Sequence, residues 1–218
     1  MTFSWTYSKL KNYETCGKRH YHYDVAKDIK EPETEQLREG NRLHSVFDAR
    51  LKGKPLPLGF GQYEGLLAKF IAAEGDTYGE QKLALTSEFK PAAWFGPRVW
   101  FRTIIDALKV RGDLATVVDW KTGKPSTDTT QLQLMAATLF HQQPALMRVR
   151  AALFFVAHEK VEPAEFTRGD LPEIWAEILP RVKRLEAAHQ QQEFPPRPSG
   201  LCRKYCAVVS CPYHGRGG

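Results

Sequence analysis

Two periods alternate along the chain. From Leu37 to Lys52 the apolar residues Leu43, Val46, Phe47 and Leu51 recur at helical spacing, and Leu66, Leu67, Phe70 and Ile71 repeat the pattern between Tyr63 and Glu74. A short amphipathic helix is expected over Trp5–Tyr13, and the charged run from Lys27 to Glu39 reads as an exposed segment leading into the next helix. Gly53 to Gly61, with Pro55 and Pro57, breaks the pattern. The period then shortens. Leu83, Leu85 and Phe89 alternate with Lys82, Thr86 and Glu88, which predicts a strand. Val99–Leu108 and Ala115–Lys121 predict two further strands, apolar enough to be central, joined by a turn at Arg111-Gly112-Asp113-Leu114. Asp128 is placed to cap a helix running to about His141, and Val149–Ala157 reads as another buried strand. Asp170 and Pro172 open a last helix carrying Trp175, Ile178, Leu179, Val182 and Leu185, which Pro180 should kink.

The order of helices, three strands, helix, strand and helix predicts a mixed α/β layer structure. A length of 218 residues suits one compact unit with one sizeable core. Within it we distinguish an N-terminal helical region (1–78), a central α/β core (79–194) and a cysteine-bearing tail (195–218). No repeat or low-complexity segment is present. With 42% hydrophobic and 26% charged residues the composition is that of an ordinary globular protein. No apolar run is long enough to span a bilayer and no signal-peptide plan precedes the first helix, so a cytoplasmic protein without membrane contact is expected. A net charge of +6 is compatible with a polyanionic partner. Lys9, Lys11, Lys18, Arg19, Arg181, Lys183, Arg184, Arg203 and Lys204 bracket the core, interleaved with Trp5, Tyr7, Tyr21 and Tyr23, which are candidates for stacking on unpaired bases.

The central hairpin concentrates the chemistry. Across a two-residue turn at Gly112-Asp113, facing residues have numbers with a constant sum, so Asp106 falls opposite Asp119. Lys121, two residues on, shares the face of Asp119. Two carboxylates opposed in an apolar sheet are costly unless something offsets them, and a hard divalent cation with a nearby lysine does so. Pairing of one aspartate with Lys121 alone, or its turning out at a sheet end, is the simpler structural reading. Glu80 more readily borders a strand than joins the pair.

The stretch Val117-Val118-Asp119-Trp120-Lys121-Thr122-Gly123-Lys124, with Asp106 upstream, resembles the RecB-like nucleases of the PD-(D/E)XK superfamily, and the likeness extends over most of the chain. Gly40-Asn41-Arg42-Leu43-His44 is similar to the family's Gly-x-x-x-His helix motif, Asp106 to its isolated aspartate and Asp119-Trp120-Lys121 to its (D/E)-x-K. Gln131-Leu132-Gln133-Leu134-Met135 resembles its Gln-x-x-x-Tyr motif with Met135 in place of the tyrosine. The resemblance implies a restriction-endonuclease-like core, a mixed central sheet flanked by helices. It also implies Mg²⁺ or Mn²⁺ held by His44, Asp106, Asp119 and the Trp120 carbonyl. Asp106, Asp119, Lys121 and Gln131 would form the catalytic set, with Gln133 taking the place of Gln131 if the helix register shifts by two.

Three of the four cysteines, Cys202, Cys206 and Cys211, crowd the C-terminal end, and Cys16 stands near the N-terminal one. In a reducing compartment such a group suggests a metal centre before disulfides. Four thiolates suit Zn²⁺ as well as an iron–sulfur cluster, with His214 or His20 as substitute ligands. The chain resembles the CRISPR-associated exonuclease and AddB type, whose first cysteine lies in a Tyr-x-x-Cys stretch like Tyr13-Glu14-Thr15-Cys16. That likeness implies a [4Fe-4S] cluster on Cys16, Cys202, Cys206 and Cys211. The trio is spaced Cys-x3-Cys-x4-Cys where the family has Cys-x2-Cys-x5-Cys. The functional expectation is a metal-dependent deoxyribonuclease, an exonuclease on single-stranded or frayed DNA, with protein partners in recombination, repair or CRISPR adaptation. The alternative is a non-catalytic nucleic-acid-binding or adaptor module on the same fold; a zinc-stapled interaction domain would leave the acidic hairpin without a purpose.

Overall fold

The computed structural model describes residues 3–30 and 33–216. Its helices are α1 (Tyr7–Thr15), α2 (Gly17–His20), α3 (Glu35–Leu51), α4 (Glu64–Ala72), α5 (Thr130–Gln142), α6 (Leu171–Gln191) and α7 (Leu201–Lys204). Its strands are β1 (Asp76–Tyr78), β2 (Gln81–Leu85), β3 (Pro91–Ala92), β4 (Phe101–Ile105), β5 (Ala107–Arg111), β6 (Leu114–Lys121), β7 (Arg148–Phe155) and β8 (Lys160–Thr167). Two compact units emerge, one made of the described residues of 3–33 and 175–218, the other of 34–174.

The second unit is the sheet-bearing one. Five strands run in the order β1-β5-β6-β7-β8, antiparallel except for the parallel pair β6–β7, while β3-β2-β4 form a smaller antiparallel sheet. A parallel pair requires a crossover, and α5 provides it. One face of the large sheet packs under α5, whose Leu132, Met135, Ala136, Leu139 and Phe140 join Val117, Val149, Ala151 and Leu153. On the other face, Leu43, Phe47 and Leu51 of α3 and Leu67 of α4 close over Ala107 and Trp120. Consecutive residues of β6 therefore feed two different cores, as the alternation of a strand requires.

The predicted strand over 99–108 is in fact two. The chain bends at Asp106, so that β4 belongs to the small sheet and β5 to the large one. Phe89, expected to continue the first strand, instead sits at φ 58 in the turn after β2 and stacks on His141 at 5.3 Å. The sequence pattern predicts none of β1, β3 and β8. In β8 the cause is Pro163, which argues against a central strand but is tolerated on an edge, where β8 lies. Helix α6 runs unbroken through Pro180.

In the other unit, His20 is fully buried. Its Nδ1 lies 3.0 Å from Asp24 Oδ2 and its Nε2 2.9 Å from His189 Nε2, with Tyr13 and Phe194 at the ring. Burial and the neighbouring His20 push His189 down to about 4. Arg181 of α6 grips Glu14 of α1 by two hydrogen bonds of 2.7 and 2.8 Å, and Trp5 is buried outright. Neither Arg181 nor Trp5 is therefore placed to meet a polynucleotide. Among the described residues no helix is long and apolar enough to cross a membrane.

Candidate active site

The bend at Asp106 and the end of β6 build this site. The β5–β6 ladder runs from Arg111↔Leu114 to Ala107↔Val118, which places Asp106 one step beyond its last pair, at the level of Asp119. Freed from the ladder by the bend, the Asp106 carboxylate accepts the Trp120 N–H through Oδ2 at 2.9 Å and meets His44 Nδ1 through Oδ1 at 3.2 Å. His44 comes from α3, whose N-terminus is fixed by Thr34 accepting the Leu37 N–H.

Asp119 is 3% exposed on the α5 face of β6. Lys121 lies on the same face two residues on, its Nζ 2.6 Å from Asp119 Oδ2. This is a close ionic contact rather than an aligned hydrogen bond, because Oδ2 lacks a donor in good geometry. Gln131, in the first turn of α5, closes the ring. Its Nε2 donates to Asp119 Oδ1 at 2.8 Å and its Oε1 accepts from Lys121 Nζ at 2.8 Å. Gln133 lies off this ring, with its amide oxygen buried and lacking a hydrogen bond. Met135, where the motif has tyrosine, is fully buried among Ile105, Leu108 and Leu139. The core at that place accepts a flexible thioether without any polar partner.

The electrostatics follow from this packing. Burial raises the Asp119 carboxyl to about 6, with Lys121 opposing and Asp106 reinforcing the rise. At His44, burial works against the charged ring, but the hydrogen bond and charge of Asp106, with Asp119 behind it, leave its pKa raised. Asp106 and Asp119 are thus balanced internally, one by His44 and the other by Lys121. A hard divalent cation matches the donor set of two carboxylates and one imidazole, and would take over the balancing charge. Among the described residues no group of three or more His, Cys, Asp or Glu side chains could hold a metal ion as placed.

Two further residues carry roles that local pattern does not show. Asp48, one turn beyond His44, accepts the Glu80 N–H through Oδ1 at 2.7 Å and ties the start of β2 to α3. Glu80 pairs with Lys82 at 3.1 Å. Lys109, 5% exposed in β5, sends its ammonium to the carbonyls of Ile71 (3.2 Å), Ala73 (2.7 Å) and Gly75 (3.4 Å) and to Thr77 Oγ1 (2.6 Å).

The four cysteines converge on one small cavity of about 10 Å³, which Lys18, Arg19 and Arg197 also line. Arg197 N–H donates to Cys16 Sγ at 3.3 Å and Ser199 N–H to Cys202 Sγ at 3.5 Å. His20, a candidate substitute ligand, is committed to Asp24 and His189, and neither it nor His214 lines the cavity. The four sulfurs have N–H groups and cations around them, but among the described residues no three cysteines form a group that could hold a metal ion as placed.

A mixed sheet whose bent hairpin presents two aspartates and a lysine, flanked by helices bearing a histidine and a glutamine, is the architecture of a nuclease core. Over residues 4–212 the sequence matches the PD-(D/E)XK nuclease superfamily, and the chain belongs to that superfamily. Among solved structures it is similar to a protein described as "Putative exonuclease" from Eubacterium rectale. The identity is 13%, 98% of this chain and 88% of that one are covered, and the TM-score is 0.53, a likeness of fold. The structure of SSO0001 is 16% identical over 98% of this chain and 88% of that chain, with a TM-score of 0.44. Comparison with curated proteins finds no match.

Proposed function

We propose that the chain is a divalent-metal-dependent deoxyribonuclease acting as an exonuclease on single-stranded or frayed DNA. The observation that carries this reading is the closed ring of Asp119, Lys121 and Gln131 beside Asp106 and His44. Asp106, Asp119, His44 and the Trp120 carbonyl would hold Mg²⁺ or Mn²⁺. When bound, such an ion neutralises phosphate charge and acidifies a coordinated water. Lys121, 2.6 Å from Asp119 Oδ2, is placed where its ammonium would face the charge that develops at phosphorus. Gln131, bonded to both, holds lysine and carboxylate in register.

The test is cleavage of end-labelled single- and double-stranded DNA with Mg²⁺, Mn²⁺ or EDTA. Wild type should shorten single strands from an end only when metal is present. Asp106→Ala, Asp119→Ala and Lys121→Ala should each lose at least about a hundredfold in rate while remaining folded, in line with the removal of a group that stabilises transition-state charge. Full activity in either aspartate variant would eliminate this site. For the cysteines we propose a structural [4Fe-4S] cluster held by Cys16, Cys202, Cys206 and Cys211, a reading supported by their lining one cavity, which at about 10 Å³ would have to open to admit it.

A further inference from the structure

Next to the acidic ring lies a cleft with no part in the chemistry proposed above. It encloses about 460 Å³, within the size range of small-ligand sites, and Arg42, Leu43, Phe60, Gln62, Tyr63 and Thr122 line it. Its place is set by topology. Thr122 follows Lys121 at the end of β6, Leu43 precedes His44 on α3, and the floor beyond is Val156, just after β7. The cleft therefore sits at the carboxyl ends of the parallel pair β6–β7, the position where open α/β sheets leave room for ligands.

Arg42 and Phe60 give one wall the character of a base-binding site, with Glu39 the acidic residue of the lining. The Arg42 guanidinium stands over the Phe60 ring at 5.1 Å, an assembly of two flat groups able to stack with a nucleobase. This platform is backed by a chain of rings. Phe60 meets Tyr63 at 6.1 Å, Tyr63 meets Phe47 at 5.1 Å, and Phe47 meets Trp120 at 5.1 Å. Trp120 is the residue between Asp119 and Lys121, so the platform is rigidly indexed to the acidic hairpin. At the rim Leu58 is 100% exposed, beside Gly59 at φ 88. Gln62 adds an amide able to meet either the donor or the acceptor edge of a base.

We propose that this cleft binds one unpaired nucleotide flanking the scissile phosphate, and that it, rather than the acidic ring, selects single-stranded over paired DNA. The selection is physical. A base in a duplex has both faces stacked and its pairing edge occupied, so it enters such a pocket only after unpairing. The proposal rests on the nuclease reading for the word "scissile" and on the cleft alone for the binding.

The two are separated by measuring binding and cleavage independently. A single-stranded oligonucleotide carrying 2-aminopurine, whose emission responds to stacking, is titrated with the full chain in EDTA, where no cleavage intervenes. Wild type should change the emission. Phe60→Ala and Arg42→Ala should each weaken single-strand binding by roughly tenfold, the scale of one lost base stack, and Phe60→Trp should restore it. With Mg²⁺, the alanine variants should cleave single strands more slowly through KM, leaving kcat nearly unchanged. Single-strand binding and KM unaltered in Phe60→Ala would overturn the proposal, as would an equal loss on blunt duplex. Wild type that responds to 2-aminopurine but cleaves nothing would support the cleft and sink the nuclease reading instead.

Discussion

At Asp119 the surroundings that would serve the proposed chemistry also carry a cost in stability. A carboxyl 3% exposed, with Asp106 nearby, is raised to about 6 despite its contact with Lys121. The folded state then binds the proton more tightly than the unfolded chain does, so ionisation costs stability. The cost is absent below the unfolded value near 4, grows as pH rises toward 6, and is complete above it. Asp119→Asn removes the charge and keeps an acceptor for the Gln131 amide. In EDTA the variant should melt several degrees above wild type at pH 8, with the gain shrinking toward zero by pH 4. Melting curves that differ by the same amount at both pH values would contradict this account. His44, also raised, loses its contribution as pH climbs through its own pKa, and that contribution is smaller in Asp119→Asn because the Asp119 charge supplies part of the rise.

Among elements, α4 and β1 illustrate a dependence on a single buried cation. The last carbonyls of a helix have no partner within it, and at α4 the ammonium of Lys109, reaching across from β5, takes those of Ile71 and Ala73 and continues to Gly75 and Thr77. Burial lowers the pKa of this lysine, yet its bonds are the ones the helix end requires. Lys109→Met fills the same space but strands the carbonyls. It should destabilise by about 2 kcal/mol, the cost of leaving buried acceptors unmet, measured by urea unfolding; a loss below about 0.5 kcal/mol would show that water serves them instead. Helix α3 depends on a different residue. A Cβ at Gly40 would come within 3.0 Å of Thr122 Oγ1, so glycine there lets the helix bearing His44 approach the end of β6 closely.

At the scale of the whole molecule, the proposed cluster concerns residues far apart in sequence. Cys16 and the three C-terminal cysteines line one cavity, and a centre bound there turns binding energy into folding energy. Protein purified without oxygen should be brown and contain iron and sulfide. Cys16→Ser should lose the colour as fully as Cys206→Ser does, with a fall in melting temperature of at least several degrees and little change in specific activity of the fraction still folded. Colourless protein with stoichiometric zinc would replace the cluster by a zinc site, and wild-type stability in Cys16→Ser would remove any centre shared by the two ends.

What could be read from the sequence was whatever repeats locally. The helix periods of α3 and α4, the apolar runs of β6 and β7 and the turn at Gly112-Asp113 follow from side-chain spacing, and the constant sum across that turn already sets Asp106 level with Asp119. Spacing also puts Lys121 on the face of Asp119, because a strand alternates strictly. It is silent wherever the partner lies far along the chain. The bend that divides 99–108 between two sheets arises because Asp106 trades a place in the ladder for the Trp120 N–H. Edge strand β8 escapes pattern because an edge tolerates Pro163 and carries little apolar alternation. Lys109 reads as an ordinary polar strand residue until three carbonyls from another element surround it. The same holds for the cleft beside the acidic ring: Arg42 and Phe60 stand on a helix and a loop whose meeting is decided by packing, since a stack between residues eighteen apart has no period to betray it.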